Sequence, residues 1–133
     1  MEANAEPEVF FCDLCNTSVP QQDLDTGAAA RTHDKIVGAC CLTELRGDAR
    51  DRGVALDGAP ELHGLFANIE NFPGDHIAVF VVRRWKRART PRPNPEILEQ
   101  GFIATEALPP ATDAGTRRRV AEILDGGALG ETW

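Results

Sequence analysis

The four cysteines are the residues whose spacing points most directly to chemistry. Cys12 and Cys15 stand in FCDLCN, and Cys40 and Cys41 are adjacent in GACC. A Cys-x2-Cys turn holds two thiolates about as far apart as one zinc ion requires, and its backbone amides can donate to the sulfurs. We therefore predict that Cys12, Cys15, Cys40 and Cys41 bind zinc. The site should be structural, because the protein would fill all four ligand positions.

The adjacent pair leaves the third and fourth ligands open. Neighbouring side chains on a strand point to opposite faces, so Cys40 and Cys41 can both reach one ion only if the chain kinks between them. Otherwise His33, or a water, completes the site with Cys41. Two other interpretations stay open: four ordinary thiols with Cys40 buried as a small apolar side chain, and a redox Cys-x2-Cys. The redox motif would need a βαβ context and a helix after its first cysteine, which this sequence does not predict.

Bulk properties indicate a folded protein of modest size. The chain has 133 residues, of which 42% are hydrophobic and 26% charged, and this length suits one domain or two very small ones. No apolar run approaches the ~18–20 residues that span a bilayer. The acidic N-terminus, MEANAEPEVFF, lacks the basic and apolar regions of a secretory signal. We expect a cytoplasmic protein with no membrane partner, in which cysteines bind metal rather than form disulfides.

Three regions are predicted along the chain: a zinc-binding module at 1–47, a helix tail and linker at 48–60, and a second domain at 61–133. The linker is predicted from its charged, Gly-rich and Asp-rich sequence, RGDARDRGVALDGAP. The first module has too small a core to fold alone, so a metal would supply the missing free energy.

Within the first module, patterns predict three strands, two of them joined by a hairpin turn, and two helical segments. The strand entering Cys12 is 9–11, and a helical turn at 20–24 ends at Gly27. The turn His33-Asp34-Lys35 joins 28–32 to 36–39, and a helix follows at 42–52.

In the second domain, strands are predicted at 62–66, 77–83 and 101–104. The run HIAVFVV has no polar alternation, which favours a strand covered on both faces. A helix is predicted at 113–125, capped by Thr112 or Asp113 and stopped by Gly126. Its apolar face should carry Val120, Ile123 and Leu124.

Residues 10–46 resemble small bacterial zinc-ribbon or treble-clef modules. The matching run is FCDLCNTSVPQQDLDTGAA. Such modules usually close with a second Cys-x2-Cys. Here Gly38 takes the place of the first cysteine of that pair, and Cys40 appears instead.

Residues 61–127 resemble the C-terminal half of Nudix hydrolases. The resemblance lies in LHGLF, GDHIAVFVVRRW, PNPEILEQGFI, EALPPAT and TRRRVAEIL. It implies part of an α/β/α sandwich with a mixed sheet and a C-terminal helix, and ancestry among magnesium-dependent enzymes that cleave nucleoside diphosphate derivatives. The expected fold class is therefore α+β: a zinc module followed by a partial Nudix-like domain.

The catalytic half of that family is missing from the sequence. The Nudix signature includes Arg-Glu-x-x-Glu-Glu, but this chain has no Arg-Glu dipeptide and no two adjacent acidic residues. Mg²⁺ needs clustered carboxylate oxygens, and thiolates select zinc instead. The resemblance leaves Glu96 as a weak candidate for a metal ligand or base, with Glu99 nearby; both are otherwise solvated carboxylates. His63 and His76 are predicted to be packing or turn residues.

A basic cluster surrounds Trp85. It comprises Arg83, Arg84, Lys86 and Arg87, with Arg89 and Arg92 further along. It could contact a phosphate-bearing ligand, and Trp85 could stack on a base. The plainer interpretation is an exposed hairpin in which arginine stems cover Trp85. The net charge of −7 argues against general nucleic-acid binding.

The sequence thus favours a non-catalytic binding or scaffold protein. A half-sheet leaves an open strand edge, which predicts a homo-oligomer or a partner protein. Alternatives are a magnesium-dependent Nudix-type hydrolase whose box comes from another subunit, and a zinc-module adapter for nucleic acid or protein. A recombined or truncated gene product is a further possibility.

Overall fold

The computed structural model describes residues 9–88, 95, 97 and 100–133. In this part of the chain the fold is mixed α+β, with short antiparallel two-stranded sheets and three α-helices. The strands are β1 (Phe10–Phe11), β2 (Ser18–Val19), β3 (Ala30–Thr32), β4 (Lys35–Val37), β5 (Val54–Leu56), β6 (Glu61–Ala67), β7 (His76–Val81) and β8 (Trp85–Arg87). The helices are α1 (Gln21–Thr26), α2 (Ala39–Asp51) and α3 (Ala114–Asp125), with one 3-10 turn at Thr105–Ala107.

Two hairpins build the front region, which we define as residues 9–51. β1 pairs with β2, and β3 pairs with β4. Helix α1 lies between the hairpins and ends at Gly27, whose φ of 80° is readily accessible only to glycine. The β3–β4 turn falls at His33, with φ of 46°. The predicted helical turn, glycine stop and hairpin are therefore present.

Helix α2 begins three residues before the predicted start at Leu42. Gly38 is its N-cap in an extended conformation, so Ala39, Cys40 and Cys41 form the first turn. The adjacent cysteines therefore lie in a helical turn, so the difficulty that two neighbours on a strand would face opposite ways does not arise. Leu42, which is 1% exposed, anchors this turn in the core.

One hydrophobic core joins the front region to β6. Its buried members are Phe10, Cys12, Val19, Ala29, Ala30, Ile36, Val37, Leu42 and Leu62. Leu62 belongs to the segment predicted as a second domain. The predicted linker contains the end of α2 and all of β5, which pairs with β8. The predicted domain boundaries stay a prediction.

The β6–β7 pair contains a bulge. Leu62 lies opposite Phe80 and Gly64 opposite Val79, so His63 is the extra residue on β6. Leu62 and Leu65 both contact the front core, whereas the ring of Phe66 packs under the Arg119 guanidinium. With this bulge, Leu62 and Leu65 of β6 face the front core while Phe66 faces Arg119 of α3.

Three expectations for the second half are corrected. β7 is half-buried rather than covered on both faces, because its sheet has two strands and no second layer encloses it among the described residues. The described sheets are antiparallel rather than mixed; the isolated parallel bridge joins Ala67 to Thr132. No strand forms at 101–104, where Phe102 and Ile103 are exposed.

Helix α3 has the predicted ends but a different buried face. The Asp113 side chain accepts a hydrogen bond from the Thr116 N–H at 2.6 Å, and Gly126 ends the helix in a left-handed conformation. The buried positions are Gly115 and Arg119, whereas Leu124 is 59% exposed. The predicted apolar face is wrong at Leu124 because an ion pair, not an aliphatic stripe, fixes the orientation of this helix.

The helices in the described ranges include none with the length and apolarity needed to cross a bilayer.

Candidate metal centre

The first cysteine pair lies in the tight turn between β1 and β2. The Cys12 N–H donates to the Thr17 carbonyl at 2.9 Å, and the Asn16 N–H donates to the Cys12 carbonyl at 2.8 Å. Asn16 has φ of 60°, a left-handed conformation that asparagine tolerates better than most residues. This backbone folds Cys15 back towards Cys12.

Asp13 joins this turn to the second hairpin. Its N–H donates to the Ile36 carbonyl at 2.8 Å. Its carboxylate accepts from the Ile36 N–H at 2.7 Å. Because β4 leads directly into α2, these two bonds position the Cys-x2-Cys turn against the start of the helix that carries the other two cysteines.

Gly38 permits the close approach of the two halves. A Cβ at this position would lie 3.1 Å from Val19 Cγ2 and 3.4 Å from Cys12 Cβ. A side chain would push the helix start away from the turn. Gly38 is therefore a contact point between the Cys-x2-Cys turn and the start of α2.

The four sulfur atoms form one cluster. All of the Sγ atoms lie within 4.8 Å of one another. Cys12 and Cys41 are 3.8 Å apart, as are Cys40 and Cys41, and Cys15 and Cys40 are 3.1 Å apart. A tetrahedral zinc ion with Zn–S bonds of ~2.3 Å has S–S edges of about 3.8 Å. The cluster therefore has the size of one zinc coordination shell.

The cluster is graded from the core to the surface. Cys12 is 2% exposed and belongs to the hydrophobic core, and Cys41 is half-buried. Cys15 and Cys40 are exposed, and all four thiols are free. One side of the site is thus anchored in the core while the other faces solvent.

Crowding of the sulfurs separates their acidities. Hydrogen bonds with the Thr17 side chain and then with Cys40 lower the pKa of Cys15 to about 6. The hydrogen bond to Cys15 and then burial raise the pKa of Cys40, and burial raises the pKa of Cys41. Without a cation the cluster stabilises one thiolate at the expense of its neighbours. A divalent ion would stabilise all four together.

His33 is placed away from these sulfurs. It lies in the β3–β4 turn and lines a cavity of about 510 Å³ together with His63 and His76. It is not a member of the four-cysteine group. The choice of Cys12, Cys15, Cys40 and Cys41 over His33 stays a prediction, but the geometry needs no nitrogen ligand.

The predicted basic cluster is divided by its contacts. The Arg83 Nε lies 3.2 Å from the Glu61 carboxylate, and an Arg84 nitrogen lies 3.7 Å from the Asp57 carboxylate. Lys86 and Arg87 lie on β8. Arg89 and Arg92, and the weak catalytic candidates Glu96 and Glu99, lie outside the described residues.

An aromatic contact lies beside this cluster. The Trp85 and Phe102 rings stack with centroids 5.0 Å apart and planes 15° from parallel. The Arg87 guanidinium lies 4.8 Å from the Phe102 centroid. Both rings remain exposed. Among the described residues Trp85 is covered by the Phe102 ring, and the arginine contact is with Phe102 instead.

A polar network of His63, Glu122 and the buried Arg119 was not predicted from the sequence. Arg119, 3% exposed, has Nη1 2.7 Å from the Thr132 carbonyl and Nη2 3.0 Å from Glu122 Oε2. The Arg119 Nε lies 2.9 Å from Glu122 Oε1, but its N–H does not point at that oxygen. His63 Nε2 lies 3.0 Å from the same oxygen. The i, i+3 spacing of Arg119 and Glu122 was the available signal.

Comparisons with protein-family models, with curated proteins and with solved structures found no match. The interpretation of the site therefore depends on its own geometry.

Proposed function

We propose that the four cysteines bind one zinc ion and that this ion organises the front region. The observation that carries the proposal is the set of four Sγ atoms within 4.8 Å of one another, with three of the S–S distances between 3.1 and 3.8 Å. Thiolate donors prefer zinc to magnesium, and four of them complete its tetrahedral shell.

The arrangement of the ligands supports a treble-clef-like module. One pair comes from a hairpin turn, a second hairpin follows, and the other pair comes from the first turn of α2. The unpaired N–H groups at a helix start favour negative charge, so they would help to hold thiolates at Cys40 and Cys41 once the ion offsets the crowding and burial that raise the pKa of both thiols. Successive side chains at a helix start diverge far less than on a strand, which answers the difficulty raised by the adjacent cysteines.

The ion would be structural. The protein supplies four ligands, which leaves no position for water or substrate. Cys12 is part of the core, and Asp13 ties its turn to β4 by two hydrogen bonds. Binding the ion would therefore fix the packing of the front region.

Metal analysis of the purified chain tests this proposal. We expect about one zinc per chain, as one tetrahedral thiolate site requires. Cys12→Ser should lose the metal together with the folded front region. Thr43→Ser is the matched control, because it keeps the O–H group that donates to the Ala39 carbonyl at 2.8 Å in the same helical turn. Full folding of metal-free wild-type protein would contradict the proposal.

We further propose that the protein is a non-catalytic binding or scaffold protein. Among the described strands, β7 pairs with β6 alone, and its residues Ile77–Val81 are half-buried. This edge could accept a strand from a second copy or from another protein. Sizing across a wide concentration range tests the homo-oligomer. A dimer should be weakened by Val79→Lys, and a strict monomer would leave only a different partner protein.

The stacked pair Trp85 and Phe102 supports a second candidate, a nucleic-acid adapter. Exposed aromatic rings beside Lys86 and Arg87 suit base stacking with phosphate contacts. Binding of a single-stranded oligonucleotide should weaken with salt and be lost in Trp85→Ala. No binding at low salt would exclude this role.

The resemblance to Nudix hydrolases leads to a further proposal about catalysis. We expect no magnesium-dependent cleavage of nucleoside diphosphate sugars by the isolated chain, because its sequence has no adjacent carboxylates to hold the metal. Turnover that disappears in Glu96→Gln would overturn the non-catalytic role.

A further inference from the structure

The two exposed cysteines of the cluster form a pair distinct from the two more buried ones. Cys15 and Cys40 are exposed, and their sulfurs are 3.1 Å apart. Cys12 and Cys41 are buried and half-buried, and their sulfurs are 3.8 Å apart. A reagent in solution can therefore reach Cys15 and Cys40, whose sulfurs are also the closer of the two pairs.

We propose that Cys15 and Cys40 are an oxidative modification site: a peroxide joins them in a disulfide, and the bound zinc is released. The inference rests on the proposed zinc site. It adds a reaction of the site with a stated class of oxidant.

The geometry favours this disulfide over the Cys12–Cys41 and Cys40–Cys41 disulfides. An S–S bond is ~2.05 Å long, so the Cys15 and Cys40 sulfurs must close by about 1 Å, which rotation about the Cα–Cβ bonds can supply. The Cys12–Cys41 pair must close further, and Cys12 is packed in the core where it is 2% exposed. A Cys40–Cys41 disulfide would form a strained ring within the first helical turn.

The reaction balances with hydrogen peroxide as the oxidant. The Cys15 thiolate attacks one peroxide oxygen, the O–O bond breaks, and the hydroxide that leaves takes a proton to become water. The resulting Cys15 sulfenic acid is then attacked by the Cys40 thiolate. The S–O bond breaks, and the hydroxide that leaves takes a proton from solvent to become a second water. Two electrons in total have passed from the thiolates to the peroxide.

Zinc release follows from the loss of two ligands. A disulfide sulfur is a poor ligand compared with a thiolate. The ion would keep only Cys12 and Cys41, and these would take up protons as it leaves. Because α2 would lose the ion at its first turn, oxidation would loosen the contact between that helix and the β1–β2 turn.

Titration of the zinc-loaded full chain with hydrogen peroxide tests the inference, with a zinc indicator present. We expect about one zinc released per disulfide, as one site per chain requires. Dithiothreitol and added zinc should restore the starting state. Digestion before Asp13 separates Cys12 from Cys15, and fragmentation of the linked peptide distinguishes Cys40 from Cys41.

The outcomes separate this inference from the proposed function. Zinc binding with peroxide-driven release and a Cys15–Cys40 bond supports both. Zinc binding with a different disulfide, or with no release, overturns the inference and leaves the zinc site intact. A chain that binds no zinc but forms the Cys15–Cys40 bond overturns the zinc site and the release step, and retains only the modification site. No zinc and no such bond overturns both.

Discussion

The cysteine cluster and the network of His63, Arg119 and Glu122 differ in how they stabilise polar groups that lie close to the core. Each places polar atoms at or beside buried apolar side chains. The network completes itself: Arg119 finds Glu122, the Thr132 carbonyl and the face of Phe66 within its own chain. The cysteine cluster has sulfurs whose near neighbours are mostly other sulfurs. The four thiols supply no cation of their own that could balance the charge of a thiolate, as Arg119 does for Glu122.

This difference indicates where each region obtains its stability. A buried cation opposite a carboxylate with additional hydrogen bonds needs nothing from solution, although desolvation reduces its net gain. Four clustered thiols gain their main stabilisation only when a metal displaces their protons. The front region should therefore depend on an external ion, and α3 should depend on a single internal pair.

Removing the metal should have the largest effect. A structural zinc contributes ~10–16 kcal/mol of apparent binding free energy in small metal-dependent folds. We expect a strong chelator to abolish the cooperative thermal transition, because β6 packs Leu62 on the core of the front region. Circular dichroism with and without added zinc measures this. An unchanged transition in chelator would break the contrast between the two regions.

Glu122→Gln should have the next largest effect. It leaves the buried Arg119 charge without its carboxylate, which costs about 3 kcal/mol in comparable buried pairs. Zinc content should not change, because the substitution does not touch the cysteine cluster. Urea unfolding of the zinc-loaded protein gives the free energy. Glu44→Gln, the same change at an exposed position of α2, should stay within about 0.5 kcal/mol of wild type.

The contribution of Glu122 to stability should depend on pH. Burial by itself raises the pKa of Glu122, but hydrogen bonds from Gly130 and His63 and the charge of Arg119 lower it below 4.5 overall. Its stabilisation is therefore present above about pH 4.5 and is lost as the pH falls through the folded-state pKa.

We expect the stability difference between wild type and Glu122→Gln to shrink as the pH falls below about 4.5. Urea midpoints of both proteins with matched zinc, taken at each pH at which both still show a cooperative transition, give this difference. Other acid-sensitive groups, including Asp113 and the cysteines, are common to both proteins and cancel. A difference that grows in acid would contradict the assigned charge of Glu122.

The smallest expected differences in stability come from alanine substitutions at two helical glycines, one in α2 and one in α3. A Cβ added at Gly47 of α2 would meet no atom within 4 Å among the described residues, so Gly47→Ala should stabilise the protein by about 0.5–1 kcal/mol. At Gly115 of α3 a Cβ would overlap the Trp133 indole. Gly115→Ala should therefore lose about 1 kcal/mol through overpacking and shift the tryptophan emission. Equal stabilisation by both would show that the indole moves away freely.

Local signals predicted much of the secondary structure. Gly27 and Gly126 end helices where glycine alone adopts the left-handed conformation easily, and Asp113 caps α3 through its own side chain. The turn at His33 and the strands at β6 and β7 also follow from short-range patterns. These features depend on a few neighbouring residues, so a single sequence contains the information.

The errors involve contacts between distant parts of the chain. The start of α2 depends on Gly38 lying against Val19, which sequence spacing does not show. The buried face of α3 depends on Arg119 meeting Phe66 and Glu122, and a simple apolar periodicity assigns such an arginine to the surface. The grouping of the cysteines was predictable from type and spacing, but their geometry at a helix start was not.

Because of the bulge at His63, strand β6 contacts both the front region and helix α3. Leu62 rests on the core of the front region, and the next residue, His63, contacts Glu122 of α3. A change in the packing of that core when the proposed ion binds would therefore reach the His63 imidazole through a single peptide unit. The NMR chemical shifts of the His63 ring should therefore report whether the metal is bound, in the intact chain and without any added label.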